Sequence, residues 1–266
     1  MSPPSMNGST ACKRMAFKDF HTAPGLTETD EDRRRKRSLI GGDLALRRQH
    51  GKPVQFNGRW ILDPIFRDDD LQSLRQFCQQ QANSELAVEV GFQLGEFAVE
   101  YCVERPVSRL VGFEVRKHFC EETDALLQSC GIESARLCLA DARTILPEIL
   151  EPGTLDHLYV FFPDPWWKPR HVRKRLVSAD FLADAAVWLR PGGRFLLKTD
   201  VQAYAQWAHA LLMSNPMFTT QILADRHAGL PWTLRERRCE LHGHPTWAIE
   251  AVRNEIVTRR QDFLVD

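Results

Sequence analysis

From about residue 85 onward, the apolar positions fall into short runs separated by longer amphipathic stretches. The runs are LAVEVG (86–91), RLVGFEV (109–115), ARLCLAD (135–141), DHLYVFFPD (156–164) and RFLLKTD (194–200). Each has the length and the turn-residue borders of a strand. Helical patterns lie between them: from Gly95, over 117–130, briefly towards Leu150, over about 178–190, and over about 201–214. The stretch RPGG ends the helix over 178–190 and forms the turn that opens RFLLKTD. FTTQIL (218–223) and TWAIEAV (246–252) are the last strand candidates. No helical crossover is expected between them, which predicts that one runs antiparallel. The alternation of β and α predicts an α/β fold with a doubly wound, Rossmann-like sheet, mostly parallel, with an antiparallel C-terminal strand.

The first part of the chain reads differently. Residues 1–48 have little apolar periodicity and carry TETDEDRRRKR, an acidic block followed by a basic one. They are expected to form a disordered tail. Residues 49–84 are expected to form an extension packing on a core domain of residues 85–266. The chain has 266 residues, 43% hydrophobic and 26% charged, as in ordinary soluble domains. Its 35 basic and 35 acidic residues cancel, so any affinity for nucleic acid must come from local clustering. The seven cysteines form no Cys-x-x-Cys and several sit in apolar runs, which predicts buried thiols in a cytoplasmic protein. Cys239, His242 and His244 match no common zinc spacing, so no metal is expected. No segment approaches the roughly 20 apolar residues of a membrane span.

In doubly wound sheets, ligands bind outside the carboxyl ends of the strands. Here each of five strands delivers an acid near that end: Glu89, Glu114, Asp141, Asp164 and Asp200. The first turn, EVGFQLGE, has Gly91 and Gly95 but no complete G-x-G-x-x-G, which disfavours a pyrophosphate-bearing dinucleotide. Glu114 follows Gly95 by 19 residues, at the second strand end, where a carboxylate accepts from ribose hydroxyls. A glycine turn and a ribose acid without a phosphate signature suit S-adenosyl-L-methionine, whose sulfonium and amino group favour acidic neighbours.

The most distinctive stretch is FFPDPWWKPRHVRKR (161–175). It resembles the FFPDPWxKxRHxKRR pattern of the bacterial tRNA (guanine-N7)-methyltransferase family. EVGFQLGE, VGFEV, LRPGGRFLLKTDVQAYA and TLRERRCELHGHPTW resemble further motifs of that family, in order, so the resemblance covers about residues 85–250. It implies a class I methyltransferase sheet and transfer of a methyl group from S-adenosyl-L-methionine to guanine N7 of tRNA, in the variable loop. It also implies roles. Glu89, Gly91, Gly95, Glu114, Asp141 and Asp164 would surround the cofactor, and Asp164 would be the catalytic acid beside the base. Lys168, Asp200, Thr233 and Glu236 would hold the guanosine and its RNA. Arg170, Arg173, Lys174 and Arg175 would meet the tRNA backbone. No obligatory protein partner is evident.

The chemistry gives the stretch an independent rationale. Guanine N7 has an in-plane lone pair and no proton, so it needs alignment and charge stabilisation in place of a general base. Prolines on both sides restrict the backbone of Asp164. Trp166 and Trp167 are candidates to stack on a base, with core packing the competing role for Trp166. His171 suits a structural or phosphate-facing position better than that of a base. Asp141 is also placed to cap the helix that follows it.

Four positions depart from the family pattern. Gln93 stands at its middle glycine, Arg235 at the aromatic of T-x-F-E and Cys239 at a glycine after the arginine, while Trp167 is bulkier than many residues at its position. They leave open a divergent relative that binds tRNA without methylating it, or one that methylates another RNA.

Overall fold

The computed structural model describes residues 54–56, 59–61, 68–79, 84–166, 171, 174–223 and 229–255. The expected tail over 1–48 lies outside them. β1 (Val54–Phe56) and β2 (Arg59–Ile61) form a separate antiparallel pair. α1 (Asp68–Gln79) follows and buries Leu74, Phe77 and Cys78 in the main core. Then come β3 (Leu86–Val90), α2 (Glu96–Glu104), β4 (Arg109–Glu114), α3 (Lys117–Ser129), β5 (Ala135–Leu139) and α4 (Ala142–Ile149). The chain continues through β6 (Leu155–Phe161), α5 (Ala179–Trp188), β7 (Leu189–Thr199), α6 (Gln202–Ser214), β8 (Phe218–Leu223), α7 (Leu234–Leu241) and β9 (Trp247–Arg253).

Seven strands form one sheet in the order β5-β4-β3-β6-β7-β9-β8. The pairs among β5, β4, β3, β6 and β7 are parallel, and β9 runs antiparallel to both β7 and β8. The expected mostly parallel sheet with an antiparallel C-terminal strand is therefore present. The inner strands are apolar because helices cover both faces. Side chains alternate between two cores: Leu158, Val160, Phe195 and Leu197 enter one, while Tyr159, Phe161 and Leu196 enter the other. The strand order reverses between β3 and β6, which opens a crevice at their carboxyl ends.

Two local expectations are corrected. RPGG does not open the fifth strand, because β7 already begins at Leu189. Leu189 pairs with Leu155 and Arg194 with His157, so the extra residues bulge out of the ladder, with Gly192 at φ 78°. A helix, α7, does stand between β8 and β9. It carries no broad apolar stripe, and only Glu236 and Cys239 of its residues are buried. Its start was nevertheless written in the sequence: Thr233 and Glu236 form a capping box, with each side chain accepting from the other's backbone N–H. The expectation of buried thiols holds for Cys78, Cys102, Cys120, Cys138 and Cys239, while Cys130 is only partly buried.

Gly95 sets where α2 begins. It lies at φ 71°, and a Cβ there would stand 2.1 Å from Thr123 Cγ2 on α3. Gly131, at φ 64°, has open space around its missing Cβ. We expect Gly131→Ala to lose only the left-handed strain, about 1–2 kcal/mol. Gly95→Ala adds overpacking worth about 1–3 kcal/mol and should be clearly the less stable in urea unfolding. Equal losses would mean that helix packing does not need the glycine.

Candidate active site

The first strand brings a glutamate to the end of the sheet and then turns sharply. Glu89 lies on β3, paired beside Tyr159 of β6, and is 2% exposed. Its Oε2 has no hydrogen-bond partner among the described residues. Burial, then the neighbouring Glu114 charge, push its carboxyl up to about 8, against the opposing pull of Lys198. A buried carboxylate oxygen left without a donor is costly, and most such groups find a partner. The turn after Glu89 is fixed by its backbone. Gly91, at φ 86°, donates to the Phe113 carbonyl at 2.7 Å, and Gly95 donates to the Phe92 carbonyl at 2.8 Å. A Cβ on Gly91 would meet nothing within 4 Å, so the chain leaves room there.

Gln93 also lies in the left-handed region, at φ 50°. That conformation is natural to glycine and costs other residues about 1–2 kcal/mol. Two contacts offset the strain: its N–H donates to Glu114 Oε2 at 3.2 Å, and its carbonyl accepts from Thr123 Oγ1 at 3.2 Å. Glu114, at the end of β4, is 4% exposed. Its Oε1 accepts from the N–H groups of Val115 (2.9 Å) and Arg116 (3.1 Å) and from Arg116 Nε (3.3 Å). The carboxylate is thus fixed in direction by β4, the first turn and the start of α3.

One cleft gathers these pieces. It is lined by Glu89, Gly91, Gln93, Gly95 and Glu96 from the β3 side, Phe161 and Phe162 from β6, and Thr233 and Arg235 from the start of α7. Glu96, which sequence reasoning did not single out, has an unpartnered, buried Oε2. Burial raises its pKa, partly countered by Arg237. A larger cavity of about 240 Å³ lies at the amino ends of β6 and β7, lined by residues including Arg105, His157 and Arg194. None of the strand-end acids lines it.

The guanosine-side candidates are tied to one another. Thr233 caps α7, and its N–H donates to Glu236 Oε2 at 3.0 Å. Glu236 Oε1 accepts from Lys198 Nζ at 2.7 Å, and both side chains are sealed from solvent. Asp200, just past β7, accepts from Arg235 Nε at 2.9 Å and from Arg235 Nη2, which anchors α7 to the sheet end. Cys239, where a turn glycine was expected, lies inside α7 with Sγ 4.0 Å from Asp200. Lys198 was overlooked by the sequence reading. The available signal was parity: in RFLLKTD it shares the inward face with Leu196.

Other candidates lie apart from the cleft lining. Asp141 caps α4, accepting from Arg143 N–H at 3.0 Å, and its carboxylate also receives the Arg143 side chain through Nε (3.0 Å) and Nη2 (2.5 Å). Asp164 is exposed, two residues beyond Phe162. Its loop is bracketed by two left-handed residues, Phe162 at φ 50° and Trp166 at φ 44°. Phe162 N–H donates to the Lys198 carbonyl at 2.7 Å, and Arg175 Nε donates to the Pro165 carbonyl at 2.9 Å. Arg175 also stacks 4.6 Å from the Trp207 ring, so it braces the loop. Trp166 is half-buried, edge-on to His171 and 5.1 Å from Lys174 Nζ. Lys174 itself is exposed. Trp167, Lys168, Arg170 and Arg173 lie outside the described residues.

The residues present fit a cationic, adenosine-bearing cofactor. Glu89 offers an acceptor with no internal donor, Gly91 leaves space beside it, and Glu114 presents oriented oxygens one strand away. Among the described residues, no group of three or more His, Cys, Asp and Glu could hold a metal, and no helix is long and apolar enough to cross a membrane.

The Methyltransf_4 methyltransferase family matches residues 83–249. The tRNA (guanine-N(7)-)-methyltransferase of Myxococcus xanthus is 34% identical over 166 residues, covering 61% of this chain and 80% of the relative. That of Ralstonia nicotianae is 35% identical over 163 residues, covering 60% of this chain and 65% of the relative, slightly under two thirds of its length. Among solved structures, the 16S rRNA methyltransferase KamB superposes with a TM-score of 0.51 at 18% identity, covering 71% of this chain and 94% of KamB. That likeness shows the fold.

The unpaired Glu89 generates a pH prediction. An acid whose pKa is higher folded than unfolded binds protons on folding, so it costs stability as pH rises from near 4.5 through about 8. We expect the unfolding free energy of the cofactor-free protein to fall across that window, and Glu89→Gln to remove most of the fall. Urea titrations at a series of pH values measure it. Parallel curves for parent and variant would mean that Glu89 is ionised at little cost and is already satisfied within the fold.

Proposed function

This chain belongs to the tRNA (guanine-N7)-methyltransferase family, and from that footing we propose that it transfers a methyl group from S-adenosyl-L-methionine to guanine N7 of tRNA, in the variable loop. The observation that carries the reading is Glu89: a buried carboxylate with an unpartnered oxygen, facing a glycine turn at the switch point of the sheet. Such a group calls for a ligand with a positive donor. Bound S-adenosyl-L-methionine supplies an electrophilic methyl group on a sulfonium, together with an ammonium group that Glu89 suits.

The residues divide the remaining work. Glu89 and the Gly91–Gly95 turn would hold the amino-acid end of the cofactor, and Glu114 would accept from its ribose. Asp141, already a helix cap held by Arg143, would lie at the adenine side. Across the cleft, Thr233, Glu236 and Asp200 set α7 against the sheet end, and Lys168 would join them in holding the guanosine. Lys174 and the neighbouring Arg170, Arg173 and Arg175 form the basic run suited to tRNA phosphates, whose contacts would make binding steeply salt-dependent.

Asp164 has a different task from the buried acids. It is exposed, yet its backbone is confined by Pro163 and Pro165 and by the left-handed residues at 162 and 166. Two such residues store about 1–2 kcal/mol each. The tether from Arg175 to Pro165 and the Phe162 contact to β7 hold the shape. A carboxylate so placed loses little freedom when it meets a base. Guanine N7 attacks with its own lone pair and releases no proton there. Asp164 therefore serves by orienting the base through its N–H donors and by stabilising the positive charge that methylation leaves on the purine.

Asp164→Asn keeps the shape and removes the charge. Under single-turnover conditions, with tRNA and labelled S-adenosyl-L-methionine pre-bound, we expect methyl incorporation into tRNA to slow by on the order of 100-fold, with tRNA affinity changed far less. A rate within about twofold of the parent, under about 0.5 kcal/mol of barrier, would make Asp164 a strand-end residue without a part in the chemistry.

A further inference from the structure

The cofactor side and the guanosine side of the cleft share one buried cation. Lys198 is 1% exposed and Glu236 is 3% exposed, and their ion pair is 2.7 Å long. Lysine and glutamate are rarely sealed so completely. A pair of well-packed apolar residues would serve stability as well or better, because desolvating two charges offsets much of their attraction. The pair therefore points to a role beyond cohesion.

The sheet shows what else the lysine reaches. Lys198 pairs with Phe161 on the neighbouring strand, and its Nζ lies 5.0 Å from the centre of the Phe161 ring. Ala87, Phe161 and Leu196 belong to one core, so Glu89, two residues after Ala87, and Lys198, two after Leu196, lie on the same face of the sheet. Running across the strand ends on that face are thus Glu89, Phe161 and Lys198, with Glu236 packed onto the lysine from α7. Lys198 favours the charged form of Glu89, and Glu114 from β4 opposes it. Glu96 from α2 and Arg235 from α7 line the same cleft.

We infer that Lys198 is a positioning residue for the methyl donor: by contact it clamps Glu236 and the start of α7 to the end of β7, and from the same face of the sheet it places a positive charge near Glu89 while leaving Glu89 Oε2 open to a cationic ligand. A lysine bonded to that oxygen would satisfy the carboxylate and compete with the ligand. A lysine whose ammonium is engaged by Glu236 supplies the field without taking the acceptor. The inference rests on the assignment of the cleft to S-adenosyl-L-methionine.

The test is the affinity for S-adenosyl-L-methionine and S-adenosylhomocysteine, measured by calorimetry from about pH 6 to about pH 9.5. The parent is compared with Lys198→Met and with Lys198→Met/Glu236→Gln, which removes both charges and keeps a capping side chain at the third helical position. In the parent, affinity should rise with pH as Glu89 ionises, until the ligand's own ammonium, an α-amino group that titrates at about 8, loses its proton. In the folded variants the rise should move to higher pH, so that binding is about tenfold weaker than the parent's at neutral pH, one pH step of ionisation, and the ratio narrows in alkali, where the ligand's own amino group titrates alike for both. A lysine that only supports the fold would lower the unfolding midpoint and leave the pH of the rise where it was. That outcome in the double variant would overturn the inference alone. A parent that binds neither molecule at any pH would overturn the cofactor assignment, and this inference with it.

Discussion

A carboxylate sealed into the end of a parallel sheet, with one oxygen left unpaired, is the constraint around which the rest of this molecule is arranged. Glu89 occupies a place that a hydrophobic residue would fill at less cost. Its neighbours do not relieve it. The Gly91–Gly95 turn directs its own N–H groups to the Phe113 and Phe92 carbonyls, and the Gln93 N–H goes to Glu114. Lys198, whose charge favours the ionised form of Glu89, is bound to Glu236. Satisfied neighbours around unpartnered acceptors, Glu89 Oε2 and Glu96 Oε2, are what a preorganised site for a cationic ligand requires.

The two sides of the cleft differ in kind. On the β3 and β4 side Glu89 and Glu114 are buried and Glu114 is fixed by backbone donors, as suits recognition of a small molecule that enters the same way each time. On the β6 side Asp164 stands in solvent on a loop held by prolines, by two strained residues and by Arg175. That loop leads directly into the basic run. The arrangement places a rigid carboxylate where a large polyanion can reach it. The join between the two sides is made by β7 and α7, through Lys198–Glu236 and Asp200–Arg235.

The sequence carried the sheet well because buried parallel strands are written as apolar runs, and five of the acids that end those strands could be named from position alone. It carried α7 poorly. LRERRCEL has no apolar stripe to announce a helix, and the capping box that opens it had been assigned to substrate binding. Lys198 was hidden because a single charge inside an apolar strand is not distinguishable from an edge residue until a partner from a distant helix is placed on it. Asp141 shows the opposite case. Both roles raised for it, helix cap and ligand acceptor, use the same carboxylate, and the structure shows the cap together with the Arg143 fork that sequence spacing did not suggest. The bulge at Gly192 was invisible because RPGG spells a turn whether or not a strand runs through it.

The destination of the methyl group decides what the cleft does. Unmodified tRNA incubated with the protein and S-adenosyl-L-methionine, digested to nucleosides and separated by mass spectrometry, gives the answer directly. N7-methylguanosine should appear in proportion to protein and time, and vanish when S-adenosyl-L-methionine is omitted. Cofactor binding without N7-methylguanosine, or methyl groups found only on another nucleoside, would contradict it.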